Sequence, residues 1–396
     1  MTVDNQQRKK KVCFICQRYG LEVNGGAELL CREMAERMTD RYDVSVLTTK
    51  AISYQTWANE YTADEETING VLVQRFPTVR ERSANFNKIH TLLIRGLLPG
   101  FLQDKWFRDQ GPVAPALLQA IRDGADTYDA FVFHTYLYYP TVFGLPLVAQ
   151  KSVLVPDAHE EPPLHLRRVK TEFESAAALM YNTEEERELA ERTFDVAGKP
   201  YRVGGAGVDV VEHPAPAIFR EKYQIVGPYV VYVGRIDEAK GCREMFEWWE
   251  RYKDLHPGDL TLVLMGKAAI PIPERSDIRA LGFVPEEDKF SGIEGASFLW
   301  LPSRFESLSI VVLEALSLGV PVIVNGNCVV LQGHIGRSEA GLSYKTEEEF
   351  DRAADIILAG GPRVAAMRES GPRYVEQKYQ WDIIIDKLSE LVELVS

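Results

Sequence analysis

Short runs of apolar and β-branched residues recur along the chain, each followed by a longer stretch in which apolar positions return every three or four residues. The short runs predict strands at Lys11–Cys16, Val44–Thr48, Val71–Phe76, Ala130–His134, Ser152–Val155 and Ala178–Tyr181, then at Tyr229–Val233, Thr261–Met265, Ser297–Leu301 and Pro321–Val324. They are nearly continuous in apolar character rather than alternating, which predicts parallel sheets covered on both faces. The longer stretches, among them Ala27–Met38, Glu184–Val196, Cys242–Tyr252, Ile310–Leu318 and Glu347–Leu358, carry the helical period. Strand and helix alternate throughout, so the expected class is α/β and doubly wound. The series runs twice, interrupted over Gly204–Glu221, where His213-Pro214-Ala215-Pro216-Ala217 predicts a linker. The boundary is expected near Val208–Pro216, giving domains over residues 1–207 and 208–378 and a terminal segment over 379–396.

Composition narrows the class. A chain of 396 residues is long for one core and favours two domains. With 45% hydrophobic and 26% charged residues it has the makeup of an ordinary globular protein. A net charge of −13 opposes a nucleic-acid backbone, so no nucleic-acid partner is expected. The five cysteines, Cys13, Cys16, Cys31, Cys242 and Cys328, are odd in number and scattered, which excludes a disulfide framework. Cys13 and Cys16 lie three apart on a strand and face opposite ways, so buried thiols are expected rather than a metal or redox pair. The basic start MTVDNQQRKKK leads into an apolar run, Val12–Cys16, too short for the core of a signal peptide. No stretch approaches the ~20 apolar residues needed to span a bilayer. A cytoplasmic protein is expected, soluble or at the inner face of the membrane.

Open parallel sheets bind ligands outside the carboxyl ends of their strands, and several chemistry-bearing motifs fall there. Asn24-Gly25-Gly26-Ala27-Glu28 follows the first strand and opens a helix, where two glycines allow close backbone approach and free amides suit an anion. Gly234-Arg235-Ile236-Asp237-Glu238-Ala239-Lys240-Gly241 follows Tyr229–Val233, and Arg235 and Lys240 bring two positive charges to one loop, as a diphosphate requires. Pro302-Ser303-Arg304-Phe305-Glu306-Ser307-Leu308-Ser309 then leads into a helix holding Glu314. If the intervening chain is helical, Glu306 and Glu314 stand about 12 Å apart. Carboxylates accept from sugar hydroxyls, and the amides of Leu308 and Ser309 can face phosphates. His134 ends a strand, where it reads either as a structural residue or as a ligand contact. Asp157-Ala158-His159-Glu160-Glu161 has metal-ligand residue types, but no second cluster completes a site, and no metal is expected.

Taken in order, these motifs resemble the retaining glycosyltransferases of family four, which have the two-domain GT-B fold. The matching residues are Gly25-Gly26-Ala27-Glu28, His134, Gly234-Arg235 with Lys240-Gly241, Gly282-Phe283-Val284, and the pair Glu306 and Glu314. Tyr379-Gln380-Trp381-Asp382 looks like the start of the family's last helix, which crosses back to the first domain. The resemblance implies two Rossmann-like domains facing a cleft, the first for the acceptor and the second for a nucleotide sugar, UDP- or GDP-linked. It implies that Arg235 and Lys240 hold the diphosphate, that Glu306 and the amides of Ser307, Leu308 and Ser309 hold the donor sugar, and that Glu314 takes the ribose hydroxyls. The backbone of Gly282, Phe283 and Val284 would face the base. Gly25 and Gly26 would close on the phosphates, and His134 would meet the donor sugar. Three departures stand out: Gly205-Ala206-Gly207-Val208-Asp209 where Asn-Gly-Val-Asp is usual, Ser307 where Gly is frequent, and Asn325–Gly341, which lacks the family's acidic pattern.

The expected reaction is sugar transfer with retention, the cationic loop and a helix N-terminus stabilising the leaving diphosphate without metal or other cofactor. The acceptor is expected to be a glycan, a lipid-linked sugar or a small molecule, as in surface polysaccharide or glycoconjugate synthesis. The segment Asn85–Phe107 is apolar, aromatic and basic, and reads as either a core-packing helix pair or a peripheral membrane contact. A sugar-nucleotide epimerase of the same fold and a non-catalytic nucleotide-sugar-binding protein are the alternatives. A dehydrogenase is disfavoured, because Gly204-Gly205-Ala206-Gly207-Val208-Asp209 does not complete G-x-G-x-x-G.

Overall fold

The apolar runs lie at the centres of two sheets in a computed structural model that describes residues 8–23, 25–209 and 213–396. Met1–Gln7 of the basic start, Asn24 of the first glycine motif and residues 210–212 of the expected linker lie outside the described residues. The first sheet has eight strands: β1 (Lys11–Ile15), β2 (Asp43–Thr49), β3 (Glu65–Ile68), β4 (Val71–Phe76), β5 (Ala130–His134), β6 (Ser152–Val155), β7 (Ala178–Tyr181) and β8 (Tyr201–Val203). Their order is β3-β4-β2-β1-β5-β6-β7-β8, and every pairing is parallel except that of β3 with β4. The second sheet has six: β9 (Tyr229–Val233), β10 (Thr261–Met265), β11 (Ile278–Gly282), β12 (Phe298–Leu301), β13 (Val322–Asn325) and β14 (Gly341–Tyr344). They run β11-β10-β9-β12-β13-β14, all parallel. These are two Rossmann-like, doubly wound units.

Strand order fixes where a ligand can sit. In the first sheet the winding reverses between β1 and β5, and in the second between β9 and β12. At such switch points the connections leave toward opposite faces and open a crevice at the carboxyl ends.

The first unit runs to Gly205 and takes back Ile384–Ser396, while the second is Ala206–Ile383. The division at Gly205 falls before the sequence-placed boundary. Part of the expected linker is helical, over Pro216–Tyr223, because Pro216 sits at the first helical positions, where its missing N–H costs nothing. The last helix, Trp381–Val395, buries Ile384, Ile385, Leu388, Leu391 and Val392. Within the first unit Lys387 donates to the Val203 carbonyl at 2.8 Å, and Lys10 pairs with Glu393 at 2.6 Å.

The first core gathers residues such as Phe107, Phe131, Phe133, Tyr136 and Phe173. The second centres on Trp300, whose ring stacks on Phe350 at 3.9 Å while its Nε1 donates to the Tyr344 hydroxyl at 3.0 Å. All five cysteines are buried and free, as the apolar run around Cys13 and Cys16 predicts for those two. Of Asn85–Phe107, the helix Phe86–Ile94 buries Phe86, Ile89 and Leu93, and the helix Gln103–Gln110 buries Trp106 and Phe107. Leu92, Ile94, Leu97 and Phe101 remain exposed. Among the described residues no helix is long and apolar enough to cross a membrane.

Candidate functional site

Backbone geometry at the carboxyl ends of β9 and β10 comes first. Gly234 follows β9 at φ 147°, and Gly266 follows β10 at the same angle. A Cβ on Gly266 would overlap the Gly234 carbonyl, so only glycine lets these two strand ends lie so close. The Gly266 amide reaches on to the Gly282 carbonyl at 2.7 Å, tying β11 into the same edge. Beyond it Phe283 is 82% exposed and Val284 buried. The pairing of two strand-end glycines was legible in part: Gly266 stands after its strand as Gly234 does after its own, and the sequence reading took up only the second.

The cationic loop is braced from within. Asp237 accepts the Lys240 amide at 2.9 Å and meets the Arg235 guanidinium at 3.4 Å. Gly241 adopts φ 76°, and a Cβ there would stand 2.7 Å from the Pro302 carbonyl oxygen. The loop after β9 therefore packs directly on the loop after β12. That contact brings together two residues 66 apart in sequence: Lys240 Nζ donates to Glu306 Oε1 at 2.7 Å. The pair is half-buried, with the two side chains 27% and 12% exposed. Asn325, at the end of β13, donates to the Pro302 carbonyl at 2.9 Å and holds the loop from the other side.

Glu306 and Ser307 precede Leu308, which is buried, and Ser309, which adopts φ 69° at the head of the helix Ile310–Ser317. No side chain caps this helix, so its first amides keep their capacity for an anion. The Ser309 hydroxyl is buried without a protein partner, as is that of Ser303. The Leu308 carbonyl is fixed from behind by His334 Nε2 at 2.7 Å. A carbonyl can only accept, so the proton is on Nε2 and Nδ1 accepts from the Tyr374 hydroxyl at 3.0 Å. His334 was not singled out from the sequence, and nothing local in Gly333-His334-Ile335 marks it.

Glu314 lies in that short helix, so the chain from Glu306 is helical only from Ile310 onward, not along its length. Its carboxylate meets Lys289 Nζ at 2.8 Å, a partner 25 residues away that sequence reasoning missed. Burial pushes the Glu314 carboxyl above its ordinary range, against the pull of Lys289. Burial lowers the Lys289 ammonium too, but Glu314 and Glu286 together hold it above the usual lysine range.

In the first unit, Gly25 and Gly26 follow β1 and His134 ends β5, the two strands that flank the switch point. A Cβ on Gly25 would crowd the Glu28 carboxylate, while one on Gly26 would meet nothing. Glu28, at the start of that helix, is buried and accepts from Arg18 at 2.5 Å and from Gln17 at 2.8 Å. His134 is fully buried and stacks on Phe14 at 5.9 Å. Neither ring nitrogen has a hydrogen-bond partner among the described residues, and burial pushes its pKa down to about 3, so it is neutral at physiological pH. The Asp157–Glu161 segment forms pairs rather than a ligand cage: Asp157 with Asn182 at 2.7 Å, His159 with Glu161 at 3.4 Å, and His165 with Glu160 at 2.6 Å.

Residues 227–359 match the family described as glycosyl transferases group 1. Among curated proteins the chain is similar to D-inositol 3-phosphate glycosyltransferase of Jonesia denitrificans, with 23% identity over 59% of this chain and 60% of that protein. It is also similar to glycosyltransferase 1 domain-containing protein 1 of Xenopus tropicalis, with 22% identity over 41% and 49%. The matched part thus spans about half to three-fifths of these relatives. Among solved structures, sucrose-phosphate synthase of Thermosynechococcus elongatus superposes with a TM-score of 0.70 at 16% identity, covering 98% of this chain and 99% of that one. The Anabaena HepE protein in complex with UDP-glucose gives 0.69 at 16% identity, over 97% and 99%. The fold is the two-domain GT-B class.

Proposed function

We propose that this chain, whose second unit belongs to the glycosyl transferases group 1, moves a sugar from a nucleotide-sugar donor to an acceptor hydroxyl. The observation that carries the reading is the Lys240–Glu306 contact at 2.7 Å, set between two strand-end loops at the β9/β12 switch point and beside an uncapped helix N-terminus. A cation, an acid and free amides at one strand edge suit a sugar joined to a diphosphate. The diphosphate takes Lys240 and Arg235. Glu306, released from Lys240, accepts from the donor sugar's hydroxyls, and Glu314 accepts from the ribose. As the bond from sugar to phosphate breaks, negative charge grows on the leaving diphosphate, where Lys240, Arg235 and the helix amides already stand. Neutral His134 serves as a hydrogen-bonding contact, not as a cation. Retention, metal independence and a UDP-linked donor complete the reading. The last is supported by HepE, a fold neighbour in complex with UDP-glucose.

The test is turnover of UDP-sugars, with release of UDP as the readout. Lys240→Ala and Arg235→Ala are each expected to cut turnover by about a hundredfold or more, with activity persisting in excess EDTA and the product keeping its anomeric configuration by NMR. Unchanged kinetics in both variants would refute the assignment. A metal requirement or an inverted product would refute those parts of it. The exposed Leu92, Ile94, Leu97 and Phe101, with Lys88 and Arg95 on the same segment, support a peripheral membrane contact by a cytoplasmic protein. Flotation with anionic liposomes is expected, and its absence removes that contact.

A further inference from the structure

Next to β5, the carboxyl ends of β6 and β7 carry two groups that the reaction above leaves unused. Asp157 lies two residues past β6 and Asn182 directly after β7. Asn182 Nδ2 donates to Asp157 Oδ1 at 2.7 Å. Asp157 Oδ2 and Asn182 Oδ1 are both buried, and among the described residues no group donates to either. Asn182 is 1% exposed. The backbone is held to keep them there. Asp157 adopts φ 53°, a left-handed conformation that aspartate tolerates better than most residues with a side chain. The carboxylate of Glu186, itself 1% exposed, accepts the amides of both Ala158 and Asn182, pinning the chain beside each group. Two buried side chains, Asn182 and Glu186, and the half-buried Asp157 are thus arranged so that two buried acceptor oxygens face no donor among the described residues. A buried acceptor without a donor costs about 1–3 kcal/mol, and a fold selected for stability alone would have closed the pair.

We propose that Asp157 and Asn182 form a hydroxyl-binding site of the first unit that takes a neutral polyol, the sugar hydroxyls of the acceptor. Two open acceptor oxygens call for donors, which the hydroxyls of a sugar ring supply and a phosphate does not. The inference rests on the glycosyltransferase reading for the word acceptor, but its chemistry stands on the two oxygens. Titration follows from the surroundings. Burial pushes the Asp157 carboxyl up to about 7, with the Asn182 amide opposing. Glu28 and Cys31 face it from the helix Gly26–Met38, Glu186 from the helix Glu184–Thr193, and His159 from its own loop.

Asp157→Asn is the discriminating variant. Its side-chain carbonyl can still accept from Asn182, but an NH2 replaces the open oxygen and opposes a hydroxyl donor. Saturation-transfer NMR on the full chain with UDP present, using methyl α-D-glucopyranoside and myo-inositol as probes, is expected to show binding in the wild type. Binding should weaken at least tenfold in Asp157→Asn and Asn182→Ala. UDP affinity should be unchanged, and Asp157→Asn should melt no lower than the wild type, which separates lost recognition from lost folding. Probe affinity should fall in the wild type as pH drops below about 7 and stay flat in Asp157→Asn. The proposal is overturned if neither probe binds the wild type, if Asp157→Asn binds them as well, or if UDP-glucose affinity falls along with the probe, which would assign the oxygens to the donor. Failure of the wild type to bind UDP at all would instead remove the glycosyltransferase reading.

Discussion

Replacing Lys289 by alanine tests whether the buried acid of the second unit is held by its ion pair. Glu314 sits between Leu313 and Ala315 in a helix whose residues Val312–Leu316 are all buried, and its own side chain is 10% exposed. Lys289, 18% exposed, is its one cationic contact among the described residues, at 2.8 Å. Removing one partner of a buried pair costs about 3–5 kcal/mol, because the other charge stays behind. Lys289 keeps some solvent and is shared with Glu286, so the cost falls somewhat below that range, at about 2–3 kcal/mol. In a unit of this size each kcal/mol moves Tm by about 2–4 °C, so Lys289→Ala should melt about 5–10 °C below wild type. Calorimetry measures it.

Two further readouts separate this cause from lost packing. Without Lys289 the folded-state pKa of Glu314 rises further above its unfolded value, so the folded variant binds the proton more tightly than the unfolded chain. Its stability is therefore present at low pH and lost as pH rises toward that folded value. The deficit of Lys289→Ala should shrink between about pH 8 and about pH 5. Glu314→Gln in the Lys289→Ala background should recover most of the loss, since no buried charge then remains. A Tm within about a degree of wild type, or a deficit independent of pH and untouched by Glu314→Gln, would show that the pair does not hold this helix. Glu314→Ala should also weaken UDP binding about tenfold, or 1.4 kcal/mol, through the ribose contact.

Gly266→Ala should lose at least about 3 kcal/mol by thermal melting, because a Cβ would enter the Gly234 carbonyl at a φ that alanine avoids; a wild-type Tm would show that the strand ends can separate. Glu172 is fully buried with both carboxylate oxygens unpartnered, and burial raises its pKa well above the usual range. Its folded state binds the proton more tightly, so wild-type stability falls as pH rises between the two values. Glu172→Gln should then become the more stable protein at about pH 8, the gap growing by up to about 1.4 kcal/mol per pH unit; parallel pH curves would refute this. His134→Gln should lower turnover without moving the acid limb of its pH profile, since a group titrating at about 3 contributes no step near neutrality; a displaced limb near pH 6 to 7 would show that His134 titrates there.

How much of this was legible in the sequence divides along physical lines. Inner strands could be read: Val71–Phe76, Ala130–His134, Ser152–Val155, Ala178–Tyr181, Tyr229–Val233 and Thr261–Met265 have the predicted bounds. Four strands escaped notice, β3, β8, β11 and β14, and all four are the outer strands of their sheets. An edge strand has a partner on one side only and tolerates polar residues, so Glu65-Glu66-Thr67-Ile68 and Ile278-Arg279-Ala280-Leu281-Gly282 lack the apolar run that betrays a central strand. The candidate site divides in the same way. Arg235 and Lys240 stood out because strand-end charges next to glycine are a local signal, and Glu306 and Glu314 as an acid in a strand-end loop and another in the apolar helix after it. Lys289, His334 and the Gly234–Gly266 approach did not, because they arise from packing between segments far apart in sequence.

The unsatisfied polar groups carry the argument one step further. His134 follows from β5, Asp157 from β6, Asn182 from β7, and Ser303 from β12, and each has a buried side-chain atom without a partner. Buried polar groups in folded proteins are nearly always hydrogen-bonded, since each orphan costs free energy. These four lie at the carboxyl edges of the two sheets, on or near the strands that flank the switch points; others, such as Arg75, Glu172 and Asp351, lie within strands or helices. The backbone around them is not loose: Glu186 clamps two amides beside Asp157, and Asn325 and His334 each hold a carbonyl of the Glu306 loop. Ordered scaffolding around unmet hydrogen-bonding capacity is what a ligand-binding edge requires, because rigid groups lose little entropy when a sugar or phosphate meets them. Each unit thus keeps, at the place its winding opens, hydrogen bonds that folding leaves unmade.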